Sequence, residues 1–305
     1  MRLRIFQAHF YKEREIFGTF GKICAIIKKE RKGEKKDLRQ AGMNILITGA
    51  SSGIGFAVAN ALAEKGANVF VCDRVSRDFE KENIRFFQAD VTKEEELSSV
   101  KEELEKKGLA LDCIVNVAGV FMIDSFLEAD PMEMERLFQV NLFGVMNVNR
   151  VFYPLLKKDG RIVITTSDVA TLDPMPFNGI YNVSKTALDC YAQSLRQELN
   201  LLGQKVITVR PGAFDTGLSR GSLEKTAELM EKTELYKAQS AKFYKLVKRF
   251  MGKPQKPEKI VKIYCKACFK KHPKLIYRKH SNFLLRILDI LPKRLQCFVI
   301  KCLLK

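Results

Sequence analysis

From Met43 onward, short apolar runs alternate with longer stretches of helical period, and this alternation limits the fold more than any other feature. The runs NILIT, NVFVCD, IRFFQAD, LDCIVNVAG, RIVITTS and KVITVRPG have strand length, and several are rich in Val and Ile. Between them lie stretches such as KEEELSSVKEELEKKG and KTALDCYAQSLRQELNLLG. Gly66, Gly108 and Gly203 close three helical stretches and suit the left-handed position past a helix end. Strands alternating with helices predict an α/β fold: one doubly wound domain with a parallel sheet of about seven strands and helices on both faces.

The 305 residues suffice for one large domain of this kind, and 46% hydrophobic content is that of a soluble globule. No uninterrupted apolar run reaches the roughly 18–20 residues of a membrane span. The N-terminus lacks an apolar core followed by a small-residue cleavage site, so no secretory signal is expected. Eight cysteines are scattered through apolar patterns, which suits reduced, mostly buried thiols and a cytoplasmic setting. CKAC at Cys265–Cys268 lacks the second pair that a four-ligand zinc site needs, and no metal is expected.

The net charge of +18 is uneven: residues 1–42 carry +7, residues 43–241 carry −6 and residues 242–305 carry +17. That pattern excludes a uniformly basic nucleic-acid binder, whereas a basic end suits an anionic surface. Three parts are expected: a basic N-terminal extension over 1–42, a domain over 43–280 with a lid near 217–253, and a basic amphipathic tail over 281–305. Residues 1–42 offer no strand to the sheet. They read either as a basic helical arm or as a start upstream of the native one at Met43.

TGASSGIG follows the first strand and opens the first helix. This is the setting in which a dinucleotide pyrophosphate is held. Glycines permit a tight turn and close backbone approach, and the helix N-terminus offers free N–H groups and a positive dipole end. Gly49, Gly53 and Gly55 are spaced G-x-x-x-G-x-G, and Ser51 and Ser52, before Ile54, add hydroxyl donors. A purely structural turn would carry the same glycines, but the second strand ends in Asp73, 18 residues after Gly55. A carboxylate there accepts hydrogen bonds from both adenosine ribose hydroxyls and repels a 2′-phosphate, which favours NAD. Arg74 beside it keeps NADP open, since a guanidinium binds that phosphate.

With these motifs the chain resembles the short-chain dehydrogenase/reductase family, whose members have a single Rossmann-type domain that binds NAD(P). TGASSGIG matches the family's cofactor loop residue for residue; the likeness is strong over residues 43–218 and weaker to about 280. It implies that Asp90 and Val91 contact the adenine, and that Thr216 in RPGAFDT bonds the nicotinamide carboxamide. NVAG, with Asn116, Ala118 and Gly119, is similar to the family's cofactor turn at the end of the fourth strand. Val117 stands where the family has a second Asn, a departure that bears on how the turn is braced. Asn141 in QVNLFG corresponds to the asparagine that holds a water in the proton relay. Tyr181 and Lys185 form the family's YxxxK, and Ser167 corresponds to its catalytic serine. Ser167 precedes Tyr181 by 14 residues, one more than is usual in the family. An extra residue near Asp173–Pro174 accounts for the difference, and Thr166 is the fallback candidate.

Elementary chemistry asks for these roles. Hydride transfer to a ketone creates an alkoxide that must gain a proton, and the reverse reaction must lose one. A phenol near pKa 10 does neither well at neutral pH. Lys185 lies one turn from Tyr181 on the same helix face, so its ammonium is expected to favour tyrosinate and lower the phenol pKa. The positive nicotinamide of the oxidised cofactor pushes the same way. Lys185 also reaches the nicotinamide ribose, and Ser167 donates to the substrate oxygen. The expected activity is NAD(P)-dependent interconversion of an alcohol and a ketone or aldehyde. A non-catalytic cofactor-binding protein on the same fold would have lost Tyr181, Lys185 or Ser167. A sugar-nucleotide epimerase shares YxxxK but has a larger C-terminal domain than this chain has room for.

Residues 217–253 are helix-prone, with apolar side chains such as Leu229, Tyr236 and Phe243 that suit a lid over a lipophilic substrate. The stretch from Lys253 to His280 resembles the tails of family members that act on steroids and retinoids. Beyond it, NFLLRILDILPKRLQCFVIKCLLK sets Leu, Ile and Phe between basic flanks, as in a helix lying in a membrane interface. The alternative is a helix packed on the domain or on a dimer partner. Relatives are often dimers or tetramers, so a homo-oligomer is expected. A chain beginning at Met43 is expected to fold and turn over like the full chain. Loss of soluble protein on that truncation would show that residues 1–42 pack on the domain.

Overall fold

The computed structural model describes residues 42–212, 214, 217–250, 255–279 and 283–305. The expectations for the N-terminal extension and for Thr216 therefore lie outside the described residues.

Among the described residues there are seven strands: β1 Asn44–Thr48, β2 Asn68–Asp73, β3 Ile84–Gln88, β4 Leu111–Asn116, β5 Leu156–Thr165, β6 Lys205–Pro211 and β7 Ile276–Lys279. They form one sheet in the order β3-β2-β1-β4-β5-β6-β7, with every neighbouring pair parallel. Six coincide with the apolar runs of the sequence. β7 was hidden there because IYRK is a mostly exposed edge strand without an apolar face. The helices are α1 Gly53–Glu64, α2 Glu94–Lys106, α3 Pro131–Phe138, α4 Gly144–Phe152, α5 Gly179–Leu201, α6 Gly217–Lys232, α7 Lys237–Phe250, α8 Glu258–Phe269, α9 Phe283–Ile290 and α10 Lys293–Leu304.

Successive strand residues point to opposite faces, and both faces are covered. On one, Ile45, Ile47, Val69, Val71 and Val115 meet Val58 and Leu62 of α1 and Ile260 and Tyr264 of α8. On the other, Leu46, Phe70, Ile114, Ile162 and Ile164 meet Leu97 of α2, Val148 and Phe152 of α4 and Leu188 of α5. Burial on both sides explains why the strands read as continuous apolar runs rather than alternating ones. Cys265 and Cys268 are buried in α8, where Cys268 Sγ lies 3.9 Å from Cys113 Sγ in β4. The buried Arg161 of β5 donates from Nη1 to the Ala267 and Lys270 carbonyls at 3.1 and 2.7 Å, which satisfies carbonyls at the end of α8.

The tail packs on the domain, the alternative reading of its amphipathic pattern. Leu304 is buried and Ile300 half-buried in a cluster with Phe177, Leu229 of α6 and Phe243 of α7. Ile290, Leu295, Phe298 and Leu303 remain exposed. Among the described residues no helix is long and apolar enough to cross a membrane.

Candidate active site

Parallel pairing carries the C-terminal ends of the strands to one edge of the sheet, and a cleft of about 890 Å³ opens there. It is lined by the loops after β1, β2, β3, β4 and β5, by Pro211 at the end of β6, and by Tyr181 and Lys185 of α5. The strand order turns outward on both sides of β1 and β4, which is where open α/β sheets take ligands.

At one end the glycine loop is pressed against its neighbours. Gly49 has φ +69°, and a Cβ there would stand 2.5 Å from the Ala118 backbone. A Cβ on Gly55 would stand 2.0 Å from the Gly49 carbonyl oxygen. Only hydrogen fits at either position, and the backbone is left bare toward the cleft. Ser52, the residue before α1, makes no side-chain cap, so the first N–H groups of the helix keep their capacity for an anion. Asp73 accepts from Ser51 N at 2.9 Å and from Val75 N at 3.1 Å. Each of its oxygens retains a lone pair for a ribose hydroxyl. Arg77 straps the loop from outside: its Nη1 donates to the Ser51 carbonyl at 2.8 Å, and its guanidinium lies 3.7 Å from the Phe56 ring centroid. This cradle fits a dinucleotide. Ser51, Ser52, Gly53, Ile54, Arg74, Asp90, Val91, Ala118 and Gly119 also line the cleft.

Asn116 does not. Its amide turns inward and donates to Asn149 Oδ1 at 2.8 Å, while its own Oδ1 is buried without a partner. Thr48 Oγ1 accepts from the Val117 and Ala118 amides at 3.3 and 3.4 Å, so the turn is braced from β1 and not by a side chain at 117. Asn141 lies behind the wall, in a π-helical turn, Gln139–Phe143, between α3 and α4. Its Oδ1 accepts from Val120 N at 2.8 Å, and its Nδ2 donates to Val120 O and to Ser184 Oγ at 3.0 and 3.1 Å. A Cβ on Gly119 would stand 3.1 Å from Asn141 Oδ1 and 3.2 Å from Lys185 Nζ, so both groups converge on that glycine.

At the other end, Tyr181 and Lys185 are buried side by side, with Nζ 5.9 Å from the phenol ring centroid. The Ser167 hydroxyl is close enough to the phenol to pull its pKa down, and its Oγ donates to Asp168 Oδ1 at 3.5 Å. Thr166 is committed elsewhere: its Oγ1 donates to Asp189 Oδ1 at 3.2 Å. Thr166 lines the cleft and Ser167 does not, while Ser167 is the hydroxyl whose neighbourhood lowers the phenol pKa. Burial pushes the Tyr181 phenol up to about 12, against a downward pull from the Ser167 hydroxyl. Burial also pushes Lys185 down to about 8. The direction is opposite to the expected lowering of the phenol pKa: burial raises it first, and the Asp168 carboxylate adds to the rise. Phe121 meets Tyr181 edge-on at 4.7 Å between centroids, and Met122, Leu137 and Ile180 join the same apolar cluster. Neither Phe121 nor Arg77 could be picked out beforehand, since each acts through a tertiary contact that no local pattern records.

A short chain dehydrogenase family model matches residues 43–227. Estradiol 17-beta-dehydrogenase 2 of Mus musculus is 35% identical over 188 residues, 57% of this chain and 49% of that protein. The chain therefore spans about half the length of that relative and of its Rattus norvegicus counterpart. The 3-ketodihydrosphingosine reductase of Bacteroides thetaiotaomicron is 29% identical over 231 residues, 75% of this chain and 84% of that one. Among solved structures, a short-chain dehydrogenase from Streptomyces avermitilis superposes with a TM-score of 0.67 at 25% identity, covering 86% of this chain and 95% of that one. The sheet, the glycine loop and the Tyr181–Lys185 pair agree with these matches: the chain belongs to the short-chain dehydrogenase family.

Proposed function

We propose that this chain is an NAD(P)-dependent oxidoreductase that interconverts a lipophilic alcohol and its ketone or aldehyde. The observation that carries the reading is Tyr181, buried beside Lys185 and lining the same cleft as the glycine cradle. The nicotinamide of a bound cofactor supplies or takes up the hydride. Tyr181 supplies the proton in reduction: a phenol raised to about 12 keeps its proton at neutral pH and loses it only as pH climbs toward that value. Lys185, lowered to about 8, is still largely an ammonium at neutral pH and loses that charge above it. It is placed to hold ribose hydroxyls and to stabilise phenolate in the oxidative direction. Ser167 orients the phenol and donates to the substrate oxygen. Asn141, anchored to the Val120 backbone, holds the wall near Lys185 through which a water relay would run.

The apolar cluster around Tyr181 favours a lipophilic substrate, and both relatives described above are named for one, estradiol and 3-ketodihydrosphingosine. Asp73 favours NAD, since its carboxylate would face a 2′-phosphate. The exposed Ile290, Leu295, Phe298 and Leu303 lie among Arg294, Lys301 and Lys305, a pattern suited to peripheral contact with an anionic bilayer.

Tyr181→Phe is expected to abolish carbonyl reduction while NADH affinity stays within about threefold, because it removes the proton but keeps the ring. Residual turnover above roughly a tenth of wild type would refute the proton role. Asp73→Ser is expected to raise kcat/KM with NADP relative to NAD; a wild type that already prefers NADP would make Arg74 the selector. Liposome sedimentation is expected to pull down the full chain with anionic vesicles, less at high salt, and not a chain ending at His280. Equal binding by both chains would remove the tail from membrane contact.

A further inference from the structure

The loop from Asp168 to Asn178 joins Ser167, just past the end of β5, to α5, which carries Tyr181. On one side it is tied to α5 itself. Asn182 Nδ2 donates to the Val169 and Leu172 carbonyls at 2.9 and 3.3 Å, and Thr186 Oγ1 donates to the Ala170 carbonyl at 3.1 Å. On the other side it is tied to the tail, and all three bonds converge on one residue. Asp173 N donates to Asp289 Oδ1 at 2.8 Å, Gln296 Nε2 donates to Asp173 Oδ2 at 3.0 Å, and Lys293 Nζ pairs with the same oxygen. Lys293 is 70% exposed, so that ion pair is weakened by water. Gln296 is 6% exposed, and its bond to a carboxylate is the firmer constraint. Asp289 is the only acid in residues 281–305, and its oxygen receives the Asp173 amide.

The end of the loop shows the same dependence on distant chain. Phe177 holds φ +67°, a backbone region that a side chain of this size avoids. Its ring is clamped edge-on by Tyr236 and Phe243 at 5.3 and 5.2 Å, within the cluster that also buries Leu304. Such a conformation persists only where the surroundings over-determine it. The short path from Ser167 to Tyr181 is therefore shaped by the lid and the C-terminal helices.

We propose that Asp173 is a positioning residue: docked on Asp289 and Gln296, it fixes the loop that holds Ser167 against Tyr181, and so makes turnover depend on the tail. The inference rests on the proposed roles of Ser167 and Tyr181. It is tested in the full chain with Asp173→Ala, Asp173→Asn, Gln296→Ala and the Asp173→Ala/Gln296→Ala double variant. Amide hydrogen exchange over residues 168–178 needs no activity and reads the loop directly. Reduction of cyclododecanone by NADH, with NADH affinity from fluorescence titration, reads its consequence. Asp173→Ala is expected to speed exchange across 168–178 and to leave exchange of the glycine loop and NADH affinity unchanged. It is expected to lower kcat by about ten- to a hundredfold, the upper figure being the cost of a misplacement of about 1 Å. Asp173→Asn, which keeps an acceptor for Gln296, is expected to recover most of that loss. The double variant is expected to be no worse than Asp173→Ala, since both changes break one contact. Unchanged exchange overturns the latch, and faster exchange with unchanged kcat overturns its positioning role. Equal acceleration in the glycine loop would reduce the effect to general destabilisation. Activity in Tyr181→Phe would defeat the proposed chemistry alone, because the exchange result stands apart from it.

Discussion

Parallel pairing is the constraint on which the rest of this molecule depends. A parallel neighbour can be reached only by a crossover, so each strand is followed by chain that travels back along a face of the sheet. Both faces become covered, and the strands become apolar on both sides. The exit loops gather at one edge, and polar groups from five loops meet there without any one segment having to carry the site. The bare backbone at Gly49 and Gly55 and the buried phenol of Tyr181 are brought to one cleft by that topology.

Within the cleft, burial and charge compete. An ammonium one turn from a phenol favours the phenolate, yet both side chains have left water, and desolvation penalises the charged form of each. Burial prevails: Tyr181 is pushed up and Lys185 down. The phenol therefore rests protonated beside a readily neutralised amine. A positive charge brought into the cleft alters that balance in favour of the phenolate, which is the direction alcohol oxidation requires.

Most of the sheet was legible in the sequence because β1, β2, β4, β6 and the second half of β5 are buried and read as apolar runs, while the edge strand β3 showed through Ile84, Phe86 and Phe87. β7 was not, since an exposed edge strand leaves no apolar trace. The glycine loop and the Tyr181–Lys185 pair were legible because their spacing is local. Spacing alone does not separate Ser167 from Thr166; the contact that occupies Thr166 comes from Asp189, 23 residues away in the chain. Asn116 was assigned to the cofactor by likeness, yet it turns inward to Asn149, because its direction depends on a helix 33 residues further on. The amphipathic tail showed that one face would be covered, but not by what. The covering surface is a cluster assembled from Ile123, Phe177, Leu229 and Phe243.

The central proposal is that Tyr181 carries the proton in a site where burial holds the phenol protonated at rest. Its most direct test is a pH titration of tyrosinate absorbance, taken as the difference between the wild-type chain and Tyr181→Phe. The titration is run first without cofactor and then with saturating NAD⁺. The account predicts no Tyr181 ionisation through the ordinary phenol range near pH 10 in the free chain. It predicts a downward shift once NAD⁺ is bound. Ionisation of Tyr181 near neutral pH in the free chain, or a curve that NAD⁺ does not move, would contradict it.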